Sequence, residues 1–215
     1  MSSAPRIAVV DYGAGNLRSV AKALARSGLV PEVTSDPAAL RRADGVALPG
    51  VGAFAAAAAS LAKTGLGDAV RDSIEAGRPY LGLCLGLQLL FEEGDEHGIT
   101  PGLGLLPGRV TRFPDRDASG ATLRVPHIGW NEVRYRGEHP MLVSLAPREL
   151  YYFVHSYRAE PAREADVVGR VDYGGEFAAA VAVGNMFAVQ FHPEKSQAAG
   201  KRLLDAYAGW VAQTR

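Results

Sequence analysis

The chain has 215 residues, and its 23 Lys+Arg are matched by 23 Asp+Glu. The formal net charge is therefore zero, which leaves no broad cationic surface for nucleic acid or an anionic membrane. No Pro/Gly/Ser-rich stretch or charge run divides a chain long enough for one substantial core, so residues 1–215 read as a single domain.

Met1–Arg6 leads directly into an apolar run too brief for a secretory or membrane-spanning segment, and the expected location is the cytoplasm. Short apolar runs then alternate with helical stretches: Ile7–Val10, a helix over Asn16–Ser27, Pro31–Thr34, Gly45–Leu48, helices over Ala53–Lys63 and Gly67–Ala76, and the run Pro79–Leu81. This is a βαβ rhythm, and parallel strands covered on both faces explain why the runs are continuously apolar. Leu85–Glu93 reads as a further helix.

The second half is strand-rich, with segments at Arg109–Phe113, Asn131–Tyr135, Tyr151–Tyr157, Val167–Val171 and Phe177–Val183. Antiparallel pairing is expected there. Gly184-Asn185 between Val183 and Met186 suits a two-residue hairpin turn, and Ser196–Gln213 closes the chain as a helix with Leu203, Leu204, Tyr207 and Trp210 on its apolar face.

Cys84 is the only cysteine, which excludes an internal disulfide, a CxxC pair and a thiolate zinc site, and suits a reducing compartment. A free cysteine is commonly a small buried hydrophobe. Here, however, it is centred in Gly82-Leu83-Cys84-Leu85-Gly86 after an apolar run, the pattern of a nucleophile elbow, in which glycines clear space around a sharp strand-to-helix turn. The following helix N-terminus favours a thiolate.

A cysteine nucleophile needs a base, and the base needs an orienting group. His192-Pro193-Glu194 supplies both at a strand end, where residues two apart share a side. Among the other histidines, His97 and His139 lie in polar sequence and read as solvated, while His155 in an apolar strand reads as a hydrogen-bonded core residue. Backbone donors for an oxyanion are expected from Leu85, after the nucleophile, and from the turn Pro49-Gly50-Val51-Gly52.

Asp11-Tyr12-Gly13-Ala14-Gly15-Asn16 is an incomplete dinucleotide fingerprint, since Arg18 occupies its third glycine position; Asn16 reads instead as a helix N-cap. No Walker A sequence is present. No cofactor and no metal are expected.

Pro49-Gly50-Val51-Gly52-Ala53-Phe54, Gly82–Gln88 and His192-Pro193-Glu194 together resemble the class I, or triad, glutamine amidotransferases over nearly the whole chain. Asp11–Asn16, Val51-Gly52, His127-Ile128-Gly129-Trp130-Asn131 and Lys195-Ser196 are most similar to the glutaminase subunits of imidazole glycerol phosphate synthase within that family. The resemblance implies an α/β, flavodoxin-like fold: a mixed, mostly parallel sheet flanked by helices, with additional antiparallel strands in the second half. It implies hydrolysis of L-glutamine to glutamate and ammonia, with Cys84 as nucleophile, His192 as base and acid, Glu194 orienting His192, and Leu85 and Val51 as oxyanion donors. Gly52, Gln88, Glu96, Ser156 and Tyr157 would bind substrate, with Asp95 or Glu93 as alternatives to Glu96 for the α-ammonium. The ammonia would pass to a (βα)8-barrel cyclase subunit making imidazole glycerol phosphate and aminoimidazole carboxamide ribonucleotide in histidine biosynthesis, with His127, Trp130, Asn131, Tyr152 and Lys195 at or near the interface.

Overall fold

In the computed structural model, which describes residues 3–214, the βαβ rhythm of the first half forms the parallel centre of one sheet. Met1, Ser2 and Arg215, at the ends of the predicted domain, lie outside the described residues. In order come β1 (Arg6–Val10), α1 (Leu17–Arg26), β2 (Val30–Thr34), α2 (Pro37–Arg42), β3 (Gly45–Gly50), α3 (Phe54–Thr64), α4 (Leu66–Glu75), β4 (Tyr80–Cys84) and the single turn α5 (Leu85–Gln88). The second half adds β5 (Phe91–Asp95), β6 (Ile99–Pro101), β7 (Leu106–Arg112), β8 (His127–Tyr135), β9 (Arg148–His155), β10 (Tyr157–Pro161), β11 (Val167–Asp172), β12 (Glu176–Val183), β13 (Met186–Val189) and α6 (Gln197–Gln213).

The main strand order is β2-β1-β3-β4-β13-β12-β10-β7-β5-β6, and β11, β8 and β9 continue from β12 as a side branch. Pairing is parallel from β2 to β13 and antiparallel through most of the remainder, as expected for the mixed fold. Alternate residues of a strand point to opposite faces. Ile7 and Val9 of β1 accordingly join Ala47, Leu81 and Leu83 under α1 and α6, while Ala8 and Val10 join Val46, Leu48 and Tyr80 under α2, α3 and α4. Both faces are covered, hence the uninterrupted apolar runs.

Two expectations are corrected, and one element is added. The helix predicted over Leu85–Glu93 stops at Gln88, and Phe91–Asp95 is a strand. The carbonyls of Leu89, Leu90, Phe91 and Glu92 accept from Leu103, Leu105, Gly104 and Gly102, so distant donors replace the intrahelical ones that apolar spacing had suggested. The strand predicted over Tyr151–Tyr157 breaks at Ser156, because the chain changes partners there: His155 pairs with His127 of β8, whereas Tyr157 pairs with Arg112 of β7. Finally, α2 was not foreseen, although Asp36-Pro37 carries its start signal. The Asp36 carboxylate accepts the Ala38 N–H at 2.9 Å with Pro37 at the first helical position.

Candidate functional site

Cys84 ends β4, between β3 and β13. The registers set Gly50 against Cys84 on one side and Val189 against Leu83 on the other, so the residues following β13 emerge beside the sulfur. Open α/β sheets place sites at such carboxyl ends. Cys84 has φ 53° and ψ −105°, a conformation whose cost for a non-glycine residue is about 1–3 kcal/mol. Its neighbours make the turn sterically possible. A Cβ on Gly82 would lie 2.7 Å from the Gly86 carbonyl oxygen and 2.8 Å from the Ala188 Cβ, and one on Gly86 would overlap the Leu48 carbonyl. The elbow is therefore present, but the helix behind it is one turn, which offers only a small dipole.

His192 is buried, and its main chain is fixed by a donation to the Tyr152 carbonyl at 3.0 Å and by the Ser196 hydroxyl, which donates to the His192 carbonyl at 2.6 Å. Its Nδ1–H donates to Glu194 Oε1 at 2.9 Å. That contact arises from a 3₁₀ turn over Pro193–Lys195, not from the strand alternation expected of this segment. His192 Nε2 and Glu194 Oε2 are buried without a well-formed hydrogen bond among the described residues. Burial pulls the His192 imidazole down, but Cys84 and Glu194 outweigh it and lift its pKa to about 9. Cys84 and Glu194 together thus favour the imidazolium form of His192.

A cleft of about 460 Å³ opens over Cys84, within the size range of small-molecule sites. Leu85, Val51, Gly52, Gln88, Glu96, Ser156, Tyr157 and Lys195 all line it, together with Pro126, Val154 and His155, which were not expected there. Gly52 has φ +100°, a conformation suited to glycine in the turn that follows β3. Of the three acidic candidates only Glu96 lines the cleft. Its carboxylate accepts the Phe54 N–H at 2.6 Å, and so supplies the cap that Ala53 lacks at the start of α3. Gln88 Nε2 donates to the Tyr157 carbonyl and to Gln190 Oε1, each at 3.0 Å, which leaves its own Oε1 as an acceptor.

The residues expected at an interface separate into two groups. Trp130 is 47% exposed and pairs across the β8–β9 ribbon with Tyr152; their rings meet edge to face, and Lys195 Nζ lies 5.7 Å from the centre of the Tyr152 ring. Exposed Ile128 and Leu150 extend this apolar face, so Trp130 is not core. His127 lies on the same strand but not on that exposed face: it is 3% exposed and stacked between Phe153 and Tyr173, so its side chain is near the face without being presented on it. Asn131 stands on the same strand face, donating to the Asp172 carbonyl at 3.0 Å and lying 3.4 Å from His127 Nε2.

Where His155 lines the cleft, it and buried His127 form a pair whose protons are fixed. His155 Nδ1 lies 2.8 Å from the Tyr157 carbonyl and must donate to it, so the unprotonated Nε2 of neutral His155 accepts from His127 Nδ1 at 3.0 Å. Burial holds both imidazoles neutral, lowering His127 to about 4 and His155 to about 3. His139 is only partly solvated: it packs edge-on to Trp210, and its ring nitrogen accepts the Met141 N–H.

Gln190 was missed altogether. It is wholly buried, and its Nε2 lies 3.5 Å from Cys84 Sγ. Its only signal in the sequence was its position two residues before His192 at a strand end.

The elbow, the histidine–carboxylate pair and the cleft above them define a cysteine-dependent amidotransferase site, and the chain belongs to the class I glutamine amidotransferase family, which residues 8–206 match. It is 50% identical over 209 residues to the imidazole glycerol phosphate synthase subunit HisH of Methylococcus capsulatus, covering 95% of this chain and 96% of that one. The proteins of the same description from Aromatoleum aromaticum and Moorella thermoacetica are 49% and 50% identical, with 95% of this chain covered and 98% and 95% of theirs. Among solved structures, PurLQS from Thermotoga maritima is similar in fold, with TM-score 0.74, 21% identity and 96% and 98% of the two chains covered.

Proposed function

We propose that this protein is the glutaminase subunit of imidazole glycerol phosphate synthase, acting in histidine biosynthesis beside a cyclase subunit. The observation that carries the reading is the placement of Cys84, Gln88 and Tyr157 on one amino-acid-sized cleft, with the buried, hydrogen-bonded His192–Glu194 pair close enough to Cys84 to be coupled to it, in a chain 50% identical to proteins named as that subunit.

In this reading the Cys84 thiolate attacks the side-chain amide carbon of glutamine. The carbonyl oxygen takes up the negative charge, and the backbone N–H groups of Leu85 and Val51 receive it. Leu85 opens α5, so its N–H has no intrahelical acceptor and is available for the role. Collapse of the adduct breaks the C–N bond, and His192 Nε2–H protonates the departing ammonia. Water then adds to the γ-glutamyl thioester while His192 takes its proton, and the C–S bond breaks to release glutamate and restore the thiolate. Glu194 Oε1 holds Nδ1–H throughout, keeping Nε2 toward the sulfur.

Glu96 binds the α-ammonium, and the Gln88 Oε1 acceptor and the Ser156-Tyr157 main chain hold the rest of the substrate, with Gly52 letting the backbone approach it. Ammonia passes to a (βα)8-barrel cyclase docked on the Trp130, Tyr152 and Lys195 face. Zero net charge supports a reading without nucleic acid or membrane partners, and among the described residues no helix is long and apolar enough to cross a membrane. A single free thiol supports the cytoplasm as the location, and the continuous sheet supports one domain. The test is to mix the protein with a cyclase and its ribonucleotide substrate. Glutamate production should rise, and formation of imidazole glycerol phosphate should depend on glutamine; no rise would overturn the pathway assignment.

A further inference from the structure

The parallel register that sets Val189 against Leu83 brings Gln190 beside Cys84, and its backbone N–H donates to the Ala179 carbonyl at 2.9 Å, anchoring the residue. One end of its side-chain amide lies 3.0 Å from Gln88 Nε2, and the other lies 3.5 Å from Cys84 Sγ.

The two ends of an amide are alike in shape, so the hydrogen-bond partners decide which is which. The Tyr157 carbonyl can only accept, so the Gln88 group 3.0 Å from it is its NH₂. The second hydrogen of that nitrogen points at Gln190, so the end of Gln190 facing it is the carbonyl oxygen. The remaining end, directed at the sulfur, is therefore NH₂. Reversing Gln190 would set two NH₂ groups against each other and an oxygen against the sulfur, in a place where the side chain is wholly buried.

We propose that Gln190 is a catalytic residue, whose side-chain N–H donates to the Cys84 thiolate and holds its charge and aim while His192 carries the proton. The inference rests on Cys84 being the nucleophile. Such a donor acts at two points: on the resting thiolate, and again when water has added to the thioester and the sulfur departs with the electron pair of the C–S bond. Because the N–H is aimed at the sulfur beforehand, no reorganisation is needed at either point.

Cys84 is the only cysteine, so iodoacetamide labelling of the full chain reports on it alone. Gln190→Met retains the length without a donor, and Gln190→Glu retains the shape but, once ionised, only accepts. At pH 7 alkylation should be about tenfold slower in Gln190→Met, and slower again in Gln190→Glu, as expected for loss of a hydrogen bond to a charged group. Glutaminase kcat should fall more than KM rises. A purely structural Gln190 would lower the melting temperature and leave labelling unchanged, so folded Gln190→Met labelling within about twofold of the unaltered protein would overturn the proposal. In the unaltered chain, the Gln190 side-chain NH₂ signals should move when Cys84 is alkylated, and unmoved signals would overturn it as well. The underlying reading is tested separately: if Cys84→Ser still hydrolyses glutamine, Cys84 is not the nucleophile, whatever the labelling rates show.

Discussion

The carboxylate of Glu96 accepts the backbone N–H of Phe54 at 2.6 Å, so one side chain both caps α3 and faces the cleft. The β5–β6 hairpin is held there by close packing, since a Cβ on Gly94 would lie 2.7 Å from the Phe54 ring. The cleft and the start of a helix thus share a group. Glu96→Gln keeps an acceptor for Phe54 but loses the charge for an α-ammonium. It should raise KM for glutamine about tenfold or more, with kcat and melting temperature little changed. Glu96→Ala should add about 1 kcal/mol of destabilisation, read by denaturant unfolding.

The elbow separates chemistry from folding. Cys84→Ser preserves size and should retain the fold and partner binding while losing at least ~10⁴-fold in glutamine hydrolysis. Gly86→Ala makes the opposite error: its Cβ meets the Leu48 carbonyl, backbone that cannot yield cheaply. Destabilisation of about 1–3 kcal/mol or more is expected, measurable as a lower melting temperature before any assay of activity.

Stability should pass through a maximum near the ordinary histidine value of 6.5. His127 and His155 resist protonation when folded, down to about 4 and about 3, so stability falls as pH drops below 6.5 and the unfolded chain takes up protons first. His192 works in the other direction: its folded pKa is raised to about 9, so its contribution is complete below 6.5 and is lost as pH rises toward 9. Thermal melting from acid to alkaline pH should show both limbs, and a flat profile would contradict the assigned burial. Cys84→Ser removes one of the groups lifting His192 and should lower its pKa, followed by NMR titration of the ring nitrogens.

Trp130→Ala should barely change the melting temperature, since the ring is 47% exposed, with an effect within about 0.5 kcal/mol. Binding to the cyclase should weaken by about 2 kcal/mol, roughly 30-fold, as for a central aromatic anchor. Titration calorimetry checks the second value, and unchanged affinity would remove Trp130 from the interface.

What could be read from the chain was local. Glycines around a single cysteine announce the elbow because the steric demand falls on adjacent residues, and His192-Pro193-Glu194 is close enough for one short turn to join base and carboxylate. The βαβ rhythm follows from burial on both faces of a strand. The dual use of Glu96, the break at Ser156 and the early end of α5 were hidden because each depends on a partner far along the chain.

The sequence by itself determined the glycine-flanked turn at Cys84, the closeness of His192 to Glu194, the alternation of strands and helices, and the family. Only the tertiary structure decided that His127 is buried, that Trp130 and Tyr152 share an exposed face, and that Gln190 meets the sulfur. The physical reason is register. A parallel β4–β13 pairing unites residues 106 positions apart, and an offset of one residue would turn Gln190 to the other face of the sheet.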